Sequence, residues 1–503
     1  MYRSRPKGEL DRDTLNFLSS MNIDNEIISY DIIGTQAHLV MLYEKGLLEV
    51  KPLKKILNEL EILLQNPGKI DRLGFEDIHE AIETHLVKKL GIEIGGRIQT
   101  GRSRNDQVIL DVRMKARDEL NNIYSKIISL IDSILQKAEQ NLGSIMLLYT
   151  HLQQAQIGNL SHYLLSYSDQ LFRDLDRLYL TYTRINKSPL GSGPVGGSTI
   201  PIDRERTAKL LGFDGLVTNS LDATSSRDTI VELMSALSIL MITLSRIAED
   251  LIIWSTQEFD YVELADKCAS SSSAMPQKKN PDPLELLRSR TTIVVGNLIT
   301  SLALLKALPS GYSRDLQDLK LVFLNSLSIV SSCLTITDIV IGSLIIHKDR
   351  MKDAVINSYA NSIDIAEQLV MQKGLVFRTA HKIVGSLVEM ALSKNNASLS
   401  SLSVNEIEAV IKRTSVPLKG KDLLEILEQV TPEKVILLRS SIGSSNPDEQ
   451  KKVIKSSKIR VQEYSDEIRK RKMQLSRALH DLRQVVISYT NKSSIVKKSK
   501  FLL

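Results

Sequence analysis

Thirteen prolines punctuate the 503 residues, yet none lies between Pro67 and Pro189 and none between Pro309 and Pro417. Proline lacks the backbone donor a helix needs and clashes with the preceding turn, so it ends or kinks helices. Two intervals of more than a hundred residues without it can therefore hold helices well beyond the average of about three turns. Hydrophobic residues make up 42% of the chain but aromatics only 5%. Cores must then come from Leu, Ile, Val, Ala and Met, which suits helix packing better than a sandwich or barrel. An all-α protein is expected, with length for about three domains.

Cys268 and Cys333 cannot build a disulfide framework, and neither has Cys or His neighbours at zinc-like spacing. This suits a reducing compartment. The charged opening segment MYRSRPKGELDRD lacks the apolar run of a signal peptide, so a cytoplasmic location is expected. The net charge of +6 is uneven: residues 451–503 contain fifteen Lys and Arg against four Asp and Glu, which leaves the remainder net acidic. A basic tail gives no reason to read the whole chain as a nucleic-acid binder; at most a weak contact between the tail and a polyanion is expected. Within the tail, Ile454, Val461, Ile468, Leu475 and Leu482 recur every seven residues, with Leu479 and Val486 beside them. That spacing predicts an amphipathic helix, followed by a frayed end at NKSSIVKKSKFLL.

Apolar runs at 233–244, 293–305 and 321–337 have the hydropathy of membrane spans. Ser and Thr are scattered through the last, however, and strongly basic flanks and an aromatic belt are missing. The expectation is no membrane, and helices apolar on most faces because they are buried. Three such helices exceed what one subunit can cover, which implies an oligomeric bundle.

GSGPVG at 191–196 matches G-x-G-x-x-G, but a dinucleotide site needs a strand before it and a helix directly after. Here the helical pattern FRDLDRLYLTYTRI precedes it and Ser-Thr-Ile-Pro follows, so a loop is expected. HEAIETH at 79–85 is not H-E-x-x-H, and helical geometry would put His79 and His85 about 240° apart, so no metal site is expected. Three segments concentrate Arg, Lys, Asn, Gln, Ser and His with few carboxylates, as a pocket for a multiply anionic small molecule requires. TGRSRNDQ at 100–107 offers two guanidinium groups and two amides. YTHLQQAQ at 149–156 reads as a polar patch in an otherwise apolar helix. SSSSAMPQKKNPDP at 270–283 reads as a flexible loop with fixed corners, suited to closing over an anion.

The stretch SSAMPQKKNPD at 272–282 closely resembles the signature of the fumarase/aspartase superfamily. Its companions are EDIHE at 76–80, TGRSRNDQ at 100–107, THLQ at 150–153, PLGSG at 189–193, NSLDAT at 219–224 and LPSGYSRDLQ at 308–317. In this order and spacing, over roughly residues 15–450, the chain resembles the argininosuccinate lyase family. The resemblance implies a three-domain fold: an N-terminal helical domain over 1–103, a central helix bundle with the signature loop over 104–350, and a C-terminal helical domain with the basic tail over 351–503. It also implies reversible β-elimination of argininosuccinate to arginine and fumarate, the last step of arginine biosynthesis, without metal or organic cofactor. The enzymes of the family are homotetramers in which three of four subunits contribute to each site.

Residue roles follow from the same resemblance. Ser272 is the general base, a task for which its alkoxide needs strong stabilisation by lysine and loop amides. Lys278 and Asn280 hold the carboxylate that becomes a dianionic aci-form once the neighbouring carbon loses its proton. His151, oriented by Glu285 and adjoined by Thr150, forms the charge-relay pair near the leaving nitrogen. Ser20 and Asp24 correspond to contacts with the arginine portion, Arg104 and Asn105 to carboxylate contacts, and Tyr312, Gln317 and Lys320 to the far end. Asp77, His79 and Arg227 line or support the pocket.

The chain departs from the family pattern at Ser271, where Gly is usual, at Ser313 and Arg314, where Asn-Lys is common, and at Ile157, where Pro is frequent. It also runs about fifty residues past the usual family end. Two alternatives remain: another lyase of the superfamily, such as adenylosuccinate lyase, and a structural protein on the same scaffold, as lens δ-crystallins illustrate.

Overall fold

The computed structural model describes residues 10–395, 398–414 and 416–490. Helices of ten residues or more are numbered here in chain order. An N-terminal layer holds α1 (Ile28–Glu44), α2 (Val50–Gln65) and α3 (Ile78–Leu90). The centre is a bundle of α4 (Arg104–Glu139), α5 (Leu160–Ile185), α6 (Asp228–Trp254), α7 (Asp282–Leu305) and α8 (Leu316–Ser343). Shorter helices follow, α9 (Ser362–Lys373), α10 (Phe377–Ser393), α11 (Val404–Thr414) and α12 (Gly420–Gln429), and then α13 (Pro447–Tyr489). The expected all-α class holds.

Local chemistry sets where the long helices begin. Ser103 precedes α4 and accepts from the Asn105 backbone N–H, while the Asp106 carboxylate accepts from the Ser103 N–H at 2.9 Å; this reciprocal cap satisfies donors that the first turn would leave bare. Asn159 caps α5 by accepting from the His162 N–H at 2.7 Å. Asp77 caps α3 in the same way, from the Glu80 N–H at 2.8 Å.

Three apolar clusters account for the packing. One fills the bundle α4–α8. A second joins α1–α3 to Leu190 and the segment 208–213. The third gathers α9–α12 around Ile145, Leu147 and Ile157. The N-terminal cluster also takes in Leu110 and Met114 of α4, and α13 runs between two of the three clusters. It leaves the C-terminal cluster and returns along α4, burying Ile454 and Ile468 in the bundle and Leu482 and Val486 in the N-terminal layer. The sevenfold spacing is the reason, because it keeps one stripe inward along 43 residues. Residues 1–9 of the opening segment and residues 491–503, where fraying was expected, lie outside the described residues.

The segment 149–156 is not helical. Residues Ile145–Thr150 (β1) and Gln153–Asn159 (β2) form an antiparallel hairpin, with Thr150 opposite Gln153 at its tip. His151 and Leu152 make the turn, each with φ of 56°. A two-residue hairpin turn requires positive φ at both positions, usually supplied by Asn or Gly. Neither residue advertises it, and the apolar run IMLLY fits a helix as readily.

By length and composition α6 and α8 could cross a membrane, yet both are packed in the bundle. Their burial is incomplete, with 61% and 50% of their apolar windows covered. Ile239 and Ile242 on α6, Leu286, Ile293, Ile299 and Leu302 on α7, and Leu321 and Ile339 on α8 remain exposed.

One residue of α13 stands out energetically. Arg471 is buried with its guanidinium 5.3, 4.6 and 4.3 Å from the ring centres of Tyr124, Tyr179 and Tyr182, and its Nε donates to Glu467 at 3.1 Å. A desolvated cation among aromatic faces contributes about 2 kcal/mol. Arg471→Ala is therefore expected to lower the denaturant midpoint by a corresponding amount. Arg471→Lys should recover only part, since an ammonium cannot stack as a planar fork does; equal midpoints for all three proteins in urea unfolding would refute this account.

Candidate active site

A cavity opens where the N-terminal layer meets the start of the bundle. Among the residues lining it are Ser20, Asp77, His79, Arg104, Asn105, Arg227, Tyr312, Arg314, Gln317 and Lys320, backed by apolar side chains including Val112, Ile230 and Phe323. Asp77 and His79 come from the first turn of α3, Arg104 and Asn105 from that of α4, and Gln317 and Lys320 from the start of α8. Helix beginnings thus converge here, and their free N–H groups favour an anion.

Ion pairs fix the walls. Arg104 Nη1 lies 3.1 Å from Asp77 Oδ2. Arg314 donates from Nη1 to Glu76 Oε2 at 2.8 Å and from Nη2 to the Leu18 carbonyl at 2.9 Å, and Gln317 Nε2 donates to the same carbonyl at 3.1 Å. The Ser20 N–H donates to the Glu76 carbonyl at 2.8 Å, so the segment before α1 is bound to both α3 and α8. Arg314 thereby finds its use at the position where the family commonly has Lys: a forked guanidinium can reach a carboxylate and a carbonyl together. Arg227 is buried and donates to the carbonyls of Thr224 and Ser226; burial lowers it to about 10, which leaves it a cation at neutral pH.

Asp24 does not line the cavity. It is fully buried, accepting from Ser20 Oγ at 2.8 Å and from the Ile78 N–H at 3.1 Å and pairing with the Lys320 ammonium. Its carboxylate orders the cavity wall from behind.

GSGPVG at 191–196 follows α5, with no strand before it, and forms a loop tied to the start of α4. The buried Asp106 carboxylate accepts from the N–H groups of Gly191 and Gly193 at 2.9 and 2.8 Å, and Asn105 Nδ2 donates to the Pro194 carbonyl at 2.9 Å. Gly193 has φ of 65°, and a Cβ there would meet the Gly197 carbonyl oxygen at 2.6 Å, so the turn requires glycine.

The remaining candidates stand apart from this cavity. Thr150, His151, Ser272, Lys278, Asn280 and Glu285 are not among its lining residues. Thr150 and His151 are exposed at the hairpin tip, and Glu285 is exposed on the first turn of α7. In the signature loop Ser272 Oγ accepts from the N–H groups of Ala274 and Met275 at 3.3 and 3.1 Å. Residues Ser270–Ser271 pair with Lys279–Asn280, closing the loop at its base. Lys279 is bound to Glu263 and Asp266 at 2.7 and 2.8 Å, while Lys278 is exposed.

Asp31 and Asp111 escaped the reading of the sequence, while Arg102 lies in the segment 100–107 that it singled out. His79 Nδ1 sits 3.3 Å from Asp31 Oδ2 and 3.7 Å from Asp111 Oδ2, with all three side chains fully buried. Burial by itself would lower His79, but the carboxylates of Asp31, Asp77 and Asp111 together outweigh it and raise the imidazole to about 9. Burial and the neighbouring Asp31 charge push Asp111 well above the usual carboxylate range. With Arg102 supplying further positive charge, the cluster is an ion-pair network. His85 is engaged elsewhere, 2.8 Å from Glu59, so the two histidines of HEAIETH do not converge.

The Asp24–Lys320 pair is open to direct measurement. Removing one partner of a buried pair strands the other charge and costs about 3 kcal/mol or more. Lys320→Met alone is expected to lose that much stability, and Asp24→Asn added to it should return part of the loss. A double-mutant cycle in urea with zero coupling would sink this reading.

Comparison with known proteins places the arrangement. A family pattern described as Lyase matches residues 18–296, and one described as Argininosuccinate lyase C-terminal matches residues 359–434. The argininosuccinate lyase of Nitrosopumilus maritimus (strain SCM1) is 45% identical over 487 residues, covering 97% of this chain and 99% of that protein. That of Methanocaldococcus jannaschii is 36% identical over 491 residues, covering 97% and 99%. Among solved structures, EDDS lyase in complex with formate is 28% identical with a TM-score of 0.84, covering 96% of each chain. Pattern, relatives and fold agree across nearly the whole length: the chain belongs to the argininosuccinate lyase family.

Proposed function

We propose that this chain cleaves argininosuccinate to arginine and fumarate by reversible β-elimination, acting in arginine biosynthesis as a cytoplasmic homotetramer. The carrying observation is the cavity, whose Arg104, Asn105, Arg227, Gln317 and Lys320 suit a substrate with several carboxylates. Membership of the family supplies the reaction.

The chemistry requires a proton to leave a carbon beside a carboxylate, and charge then builds on that carboxylate. Lys278 and Asn280 are the donors assigned to it. Ser272 is assigned the proton. Two loop amides already donate to its oxygen, the arrangement an alkoxide needs, and Lys278 lies in the same loop. His151, supported by Glu285, serves the leaving nitrogen, with Thr150 beside it.

Because these residues do not line the cavity of their own chain, a working site needs more than one copy. The exposed apolar faces of α6, α7 and α8 support assembly through the bundle. Ile293→Asp with Ile299→Asp is expected to dissociate the assembly in light scattering and to abolish turnover together with it.

Fumarate release, followed by ultraviolet absorbance, tests the activity. The wild type should turn over argininosuccinate and not adenylosuccinate; turnover of adenylosuccinate alone would transfer the chain to the rival lyase. Ser272→Ala should remove turnover while substrate still binds, and Asn280→Ala should slow it on the order of a hundredfold, about 3 kcal/mol of barrier. Mixing inactive Ser272→Ala with inactive Arg104→Ala subunits should restore part of the activity after reassembly. No recovery in any ratio would speak against sites shared between chains.

A further inference from the structure

His79 lines the cavity with only 1% of its surface exposed; neither ring nitrogen meets hydrogen-bond geometry with another described residue, but Nδ1 lies in ion-pair range of Asp31 at 3.3 Å, whereas Nε2 has no such neighbour. A buried donor left unpaired is costly, so the nitrogen calls for a partner that the unliganded chain does not supply. Nδ1, on the other side of the ring, faces Asp31 and Asp111. We propose that Asp31 is a positioning residue: it holds His79 as an imidazolium whose Nε2–H is the donor for a carboxylate of the bound substrate. The identity of that substrate rests on the reading above; the class of group recognised, a carboxylate, does not.

The charges around the ring support this from every side. From α1, Asp31 is kept ionised against the effect of its burial by His79, by Arg102 and by an amide hydrogen bond from Gln107. From α4, Asp111 is driven by burial and by the Asp31 charge toward its neutral acid. Asp77, at the cap of α3, adds negative potential and is itself paired with Arg104. Lys320, from α8, is taken up by Asp24. His79 and Arg102 share the buried Asp31 carboxylate, and Asp106, Asp111 and Glu83 add negative charge around Arg102.

The sign of the pH effect follows. His79 stands above its ordinary value, so its cation is present through neutral pH and is lost as pH rises through about 9. Without the Asp31 charge, burial is opposed only by Asp77 and Asp111, so the ring is expected to give up its proton at lower pH. Asp111 is pushed toward its neutral acid by burial and by the Asp31 charge, so replacing it with an amide removes less charge from the ring than replacing Asp31 does.

The test combines carbon-13 histidine NMR on the full-length protein with steady-state kinetics. The His79 resonance is assigned by its loss in His79→Gln. In the wild type it should titrate near pH 9, and saturating fumarate should shift it. In Asp31→Asn it should titrate at lower pH, KM for argininosuccinate should rise about tenfold or more, and the alkaline limb of kcat/KM should move to lower pH. Asp111→Asn, which removes the weaker of the two carboxylate influences on the ring, should raise KM less and lower the His79 titration less than Asp31→Asn does. A neutral His79 in the wild type, a fumarate-insensitive resonance, or equal kinetic losses in Asp31→Asn and Asp111→Asn would each overturn the proposal. The first two readouts use unsubstituted protein and do not depend on how a variant folds. A wild type that shifts with fumarate but releases none from argininosuccinate would leave the carboxylate contact standing and defeat the substrate assignment.

Discussion

Arg102, Arg104, Asp106 and Asp111 are crowded around the first two turns of α4, and much of the surrounding structure is arranged to satisfy them. Arg102 Nη1 donates to Thr35 of α1 at 3.0 Å, Arg104 meets the cap of α3, and Asp106 gathers the loop at 191–193. Asp111 completes the cluster around His79. A buried charge that loses its partner costs several kcal/mol. These elements consequently cannot shift separately, and the cavity wall moves as a unit with the bundle.

Farther along α4 the same logic recurs with aromatic partners. Arg117 is fully buried; it donates to Asn186 at 3.1 Å and to the Leu211 carbonyl at 3.0 Å, and its guanidinium lies 4.5 Å from the Phe213 ring centre. Arg471 of α13 reaches Tyr124 on α4 and Tyr179 and Tyr182 on α5. The tail helix thereby crosses from the bundle to the N-terminal layer, holding together two parts of the chain that both contribute to the cavity. The positive charge of this segment is put to partial use in internal packing.

Elements with a local signature were legible in the sequence. Proline-free intervals and apolar periodicity announced the bundle, the sevenfold spacing announced α13, and the signature loop stood out by composition. Contacts between segments were not. Nothing near Asp31 or Asp111 marks them as partners, because only the packing of α1 against α4 brings them to His79. The stripe on α13 predicted a buried face but not which surface buries it. The hairpin at His151 was hidden by its turn, since His and Leu seldom accept positive φ and the apolar strand reads as a buried helix. Asp24 carried a binding role by resemblance, and nothing local in the sequence indicated its contacts with Ser20, the Ile78 N–H and Lys320.

Two features of the bundle have one physical origin. Helices α6–α8 present Ile and Leu to solvent, and two of them carry candidate site residues at their beginnings: Glu285 on α7, next to the exposed Leu286, and Gln317 and Lys320 on α8. A face that must be covered and a constellation that must be completed thus lie on the same elements. Burying apolar area at about 25 cal/mol per Å2 supplies the free energy of association, and the rigidity of long helices transmits that association to their ends, where the chemistry is. A chain that covered these faces within itself would gain stability as a monomer and lose the register between the two halves of its site. The incomplete burial of α6 and α8 therefore supports the proposal that the candidate catalytic groups come together when subunits do.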